Sequence, residues 1–104
     1  LACEQVIRKE RCTLRGFLVH VFVGVESGAA VSMNASSCKL YCTEMVGRVA
    51  DRAVQIHGGA GYISEYCVER FYRDVRLFRL YEGTSQIQQL VIAKQMIRNT
   101  GSSL

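Results

Sequence analysis

Between Ser32 and His57 the apolar residues Cys38, Cys42, Met45, Val46, Val49, Ala53 and Ile56 recur at intervals of three and four. That spacing gathers them on one stripe of an α-helix and scatters them over both faces of a strand. No proline occurs in the 104 residues, so no ring removes an N–H or clashes with the turn before it. Gly58 and Gly59 close the stripe, since a glycine after the last turn can take a positive φ without a Cβ clash. Taken alone, the pair is a helix stop and a turn.

Three further segments follow the same logic. A short helix is expected from about Glu65 to Val75, opened by acidic Glu65 and packed through Val68, Phe71 and Tyr72. A last helix is expected to start near Thr84 or Ser85, where Ser85 and Gln88 have capping-box spacing, and to bury Ile87, Leu90, Val91 and Ile97. Asn99, Thr100 and Gly101 would end it. Residues 1–26 read as a helix stopped at Ser27–Gly28, although Phe17 to Val23 is rich in β-branched and aromatic residues that also suit a buried strand. The expected fold class is all-α, a helical bundle of three long helices and one short one.

Composition removes several function classes. The longest apolar run, Val19 to Val25, is far shorter than the ~20 residues of a membrane-spanning helix and contains His20. The five cysteines are odd in number and lack paired short spacings, which argues against a disulfide framework or a zinc site and for a reducing compartment. Arg70, Arg73, Arg76 and Arg79 recur every third residue within a net charge of +4, but Glu69 and Asp74 interrupt them and no recognition motif accompanies them. A solvated or inter-subunit face is expected there, and no nucleic acid. The chain opens on Leu1 in mid-pattern, so residues 1–104 are expected to be a single C-terminal helical domain from a longer protein.

The stretch 55–86 carries the chemistry. Gln55, Gly58, Gly59, Gly61, Tyr62, Glu65, Arg70 and Asp74 are followed by Tyr81-Glu82-Gly83-Thr84, and Ala35-Ser36-Ser37-Cys38-Lys39 stands upstream. On these residues the chain resembles the C-terminal domain of the acyl-CoA dehydrogenase family, strongly from about Ser27 to Arg98. The family usually has proline where this chain has Cys67, a change expected to loosen the start of the short helix.

Removing a weakly acidic proton α to a thioester needs a base whose site is dry enough to raise its pKa, together with donors for the developing enolate oxygen. Without the resemblance, Glu82 reads as an exposed loop acid or a helix-start charge rather than as a base. The resemblance implies that Glu82 is the base, that its own N–H is one of the donors, and that Tyr81 and Gly83 line the substrate. No side chain accepts hydride. A cofactor must therefore do so, and the resemblance implies FAD, touched by Gln55, Ile56, His57, Gly58 and Gly59 on one side and by Thr84, Ser85 and Gln86 on the other, the first group serving the flavin of a neighbouring subunit. The resemblance further implies acyl-CoA as substrate, a homodimer or homotetramer, electron transfer flavoprotein as electron acceptor, and a bacterial cytoplasm or mitochondrial matrix. A helical oligomerisation module without catalysis is the alternative from a different class.

Overall fold

The computed structural model describes residues 31–101, together with Arg8, Arg15 and Val25 as single helical positions. The helix expected over 1–26 and its stop at Ser27–Gly28 thus lie outside the described residues, those positions apart. Within 31–101 the order is helix α1 (Ser32–His57), a 3-10 turn (Gly58–Tyr62), helix α2 (Val68–Leu77) and helix α3 (Ser85–Gly101), with no strand among the described residues. Helix α1 is the spine. Both α2 and α3 lie against it, and they do not touch each other.

The stripe on α1 behaves as its spacing requires over most of its length. Cys38 and Ala50 are buried, and Cys42, Met45, Val46, Val49 and Ala53 are half-buried. Thr43 is buried beside them and turns its hydroxyl back to donate to the Leu40 carbonyl at 3.2 Å. Burial, with Cys38 alongside, pushes the Cys42 thiol up to about 11. The stripe fails at its end, where Ile56 is exposed.

Gly58 takes φ +58 and donates its N–H to the Gln55 carbonyl, ending the α-helix where expected. The chain then coils more tightly as one 3-10 turn. A Cβ at Gly61 would lie 2.8 Å from both the Val54 carbonyl oxygen and the His57 Cβ, so this turn closes against the end of α1 only because residue 61 has no side chain.

Three expectations need correction. Helix α2 begins at Val68 rather than Glu65, because the chain first turns with Tyr66 N–H on the Ile63 carbonyl. Glu69, not Glu65, is the acid in its first turn, and it pairs with Arg73 one turn on. The cap of α3 is Thr84, whose Oγ1 accepts from the Ile87 N–H at 3.3 Å; Ser85 and Gln88 turn their side chains elsewhere. Finally, Phe71, Tyr72, Ile87, Leu90 and Ile97 are exposed, with Val68 and Val91 half-buried. Since, among the described elements, α2 meets only α1 and the 3-10 turn and α3 meets only α1, one narrow strip of each helix is covered and the rest of its apolar surface is not.

Candidate functional site

Glu82 sits on the connector between α2 and α3, and nearly every peptide of that connector is held. After Leu77 the chain winds on, with Leu80 and Tyr81 N–H groups both on the Leu77 carbonyl at 2.8 and 3.2 Å. The rings of Phe78 and Tyr81 pack with centroids 5.8 Å apart. Glu82 and Gly83 then take φ +54 and +87, and these two left-handed residues reverse the chain into α3. For a non-glycine residue this region costs roughly 1–2 kcal/mol, so Glu82 must be held in it by its surroundings.

Five side chains and one backbone bond do so. Lys39 on α1 donates from Nζ to the carbonyls of Phe78 at 2.9 Å and Gly83 at 2.7 Å, fastening both ends of the connector to one ammonium. The Gln88 amide reaches back to the Glu82 carbonyl at 3.1 Å, and the Ser85 N–H closes on the Arg79 carbonyl at 3.2 Å. Glu44, the next anchor along α1, accepts from the Ser85 hydroxyl at 2.7 Å and from Arg79 Nη1 at 3.2 Å. The Ser85 bond, then the Arg79 charge, hold the Glu44 carboxyl below the usual range against the opposing effect of burial. Arg79 crosses α1 over Gly47, where a Cβ would come within 3.3 Å of its guanidinium. Its Nε is buried without a partner among the described residues.

The result is a rigid backbone presenting a free side chain. Glu82 is exposed, and neither its carboxylate nor its N–H has a hydrogen-bond partner among the described residues. Tyr81 beside it is exposed and Gly83 is half-buried. The cleft of about 210 Å³ between α1 and α2, lined by Glu44, Gly47, Asp51 and Tyr72 among others, does not include Glu82. None of the described surfaces takes this carboxylate out of water.

The remaining sequence-selected residues fall in two places. Thr84, Ser85 and Gln86 follow Glu82 directly, with Thr84 capping, Ser85 buried and bound to Glu44, and Gln86 exposed. Gln55, Ile56, His57, Gly58 and Gly59 are all exposed at the far end of α1. Gln55 lies sixteen residues beyond Lys39 on that helix, about 24 Å along its axis at ~1.5 Å per residue. His57 Nδ1 is 2.8 Å from the Ala53 carbonyl, to which it donates, so this nitrogen is spent locally. A Cβ at Gly58 or Gly59 would meet nothing within 4 Å, which leaves the main chain open to approach.

Sequence reasoning missed Glu44 and gave Lys39 no role at the site. Each acts across more than thirty residues of chain. The available signal was a carboxylate set between buried Thr43 and half-buried Met45, because a charge on the covered side of a helix needs a partner.

The family model described as acyl-CoA dehydrogenase, C-terminal domain, matches residues 7–97. Over 64 residues the chain is 55% identical to the caffeyl-CoA reductase-Etf complex subunit CarC of Acetobacterium woodii, covering 62% of this chain and 17% of that protein. It is 52% identical over 64 residues to the probable acyl-CoA dehydrogenase YngJ of Bacillus subtilis, with the same 62% and 17% coverage. The crystal structure of an acyl-CoA dehydrogenase from Geobacillus kaustophilus matches with a TM-score of 0.78 at 36% identity, over 86% of this chain and 23% of that one. The chain thus spans about a sixth of the length of these two curated relatives.

Proposed function

The chain belongs to the acyl-CoA dehydrogenase family through its C-terminal domain, and on that footing we propose that it is the C-terminal helical domain of a FAD-dependent oxidoreductase acting on acyl-CoA. Glu82 is the base that takes the α-proton as the acyl thioester becomes the trans-2-enoyl thioester. The observation that carries this reading is the held, left-handed backbone at Glu82, with carboxylate and N–H both free of partners among the described residues. Carboxylate and N–H are set in one residue, so the group that accepts the proton and a donor for the thioester oxygen move as a unit. Tyr81 and Gly83 flank the acyl chain, and bound substrate supplies part of the missing desolvation.

The residues present fit a flavin. FAD, when bound, accepts the β-hydride. Gly58 and Gly59, bare and open, admit an anionic group close to the main chain. Ile56 and His57 flank it and Gln55 offers an amide. Thr84 and Gln86 stand at the start of α3, where the helix dipole suits an anion, while Ser85 contributes by fixing that start rather than by touching the cofactor. The two groups lie at opposite reaches of α1, which supports their serving flavins of different subunits. Exposed Ile87, Leu90, Met96 and Ile97 on α3 support a homodimer or homotetramer. The name of the Acetobacterium relative supports electron transfer flavoprotein as redox partner, and bacterial relatives support a cytoplasmic enzyme.

The test is Glu82→Gln in the intact enzyme. FAD remains bound and substrate-dependent bleaching of the flavin band falls by about 10²–10⁴ in rate, the range of a lost general base. Unchanged bleaching overturns the assignment of Glu82. A colourless protein that cannot be reconstituted with FAD overturns the enzyme reading in favour of an oligomerisation module.

A further inference from the structure

Cys38 and Cys42 stand one turn apart on α1 with their Sγ atoms 3.8 Å apart. Cys38 is buried, Cys42 is half-buried, and neither takes part in the site above. They flank or adjoin its anchors: Lys39 follows Cys38, and Glu44 lies two residues past Cys42.

Three fates of a close thiol pair make different geometric demands. A disulfide needs Cβ atoms about 3.5–4.5 Å apart, whereas residues four apart on a helix hold them at about 5–6 Å. Oxidation would therefore break the turn that carries Lys39. A structural zinc ion needs roughly four protein ligands. Among the described residues no third histidine, cysteine, aspartate or glutamate gathers with the pair. A single bridging atom is different. Two bonds of ~2.3 Å at the pyramidal angle of a trivalent centre, about 100°, set the sulfurs roughly 3.5 Å apart, so a small side-chain rotation from the present 3.8 Å lets such an atom span the pair with α1 intact.

We propose that Cys38 and Cys42 form a dithiol site for trivalent organoarsenicals and metalloids of that class, which complete their coordination with two sulfurs and one group of their own. With an arsenoso compound, each S–H bond is replaced by an S–As bond. The two protons leave with the arsenoso oxygen as water, and arsenic stays trivalent, so nothing is oxidised or reduced. The half-buried Cys42 sulfur is the point of entry and Cys38 closes the chelate.

Phenylarsine oxide is the probe. Added to the chain in slight excess and chased with a monothiol, it should leave one arsenic per chain and remove two thiols from the titration count. The Cys67→Ser variant should behave identically, and Cys38→Ser and Cys42→Ser should each lose the monothiol-resistant adduct. Should those variants fold poorly, trypsin decides on the native chain. Cleavage after Lys39 separates the two cysteines, so arsenic must appear in a joined pair of peptides from either side of that bond. Arsenic retained by the Cys38→Ser and Cys42→Ser variants, arsenic mapped to other cysteines, or a native chain that keeps none would overturn the proposal.

Discussion

Replacing Gly83 with alanine probes how the backbone at Glu82 is held, and the structure supplies both parts of the cost. A φ of +87 suits glycine and costs an L-residue about 1–2 kcal/mol. The new Cβ would also stand 2.7 Å from Gln88 Nε2, the far end of a flexible side chain. That amide swings away and gives up its bond to the Glu82 carbonyl, now 3.1 Å, for a loss of about 1 kcal/mol. Gly83→Ala should therefore destabilise by ~2–3 kcal/mol, summing the two costs. Gln88→Ala alone should cost about 1 kcal/mol. In the Gly83→Ala background it should cost almost nothing, because the bond is already gone. Urea unfolding of wild type, both single variants and the double variant, followed by helical circular dichroism, closes the cycle with a coupling of about 1 kcal/mol. Additivity within about 0.3 kcal/mol would refute the reasoning, by showing that Gln88 does not brace the Glu82 carbonyl.

Two further perturbations test the flanking elements. Cys67 precedes α2 with φ −65, the value a proline ring imposes, so Cys67→Pro should raise stability by about 0.4–1 kcal/mol through the unfolded chain; a lowered melting temperature would show that its N–H is needed. Glu44 has a lowered native pKa, so its stabilising effect is complete above the ordinary value of 4.5 and is lost as pH falls through the native one. The stability gap between wild type and Glu44→Gln should accordingly narrow on acidification from pH 6, and a gap independent of pH would show that Ser85 and Arg79 do not favour the charged form.

Local rules carried the sequence reading where the determinants are local. The stripe from Cys38 to Ala53 and the glycine at 58 gave α1 its full span and its stop, because period and positive φ are properties of a few adjacent residues. The acid at 65 predicts a start of α2 three residues before the observed one, because the Ile63–Tyr66 turn leaves no mark in the sequence. The spacing of Ser85 to Gln88 predicts a cap at Ser85, yet its hydroxyl goes to Glu44, forty-one residues back. The apolar face of α3 was expected to be buried because periodicity shows which face is apolar and not what covers it. At the site, Glu82 and its neighbours were legible as a motif. The clamp formed by Lys39 and Glu44 was not, since it exists only once α1 and the connector meet.

With Glu82 as the base proposed above, the left-handed backbone there sets stability against function at a single position. Glycine would relax the strain there, and asparagine would bear it more easily than glutamate does. A library of the intact protein selected only for resistance to heat should drift at residue 82 toward those two, and one selected for turnover should hold glutamate at a steady thermodynamic disadvantage. Comparing the two outcomes would separate what the fold prefers at that turn from what the chemistry demands.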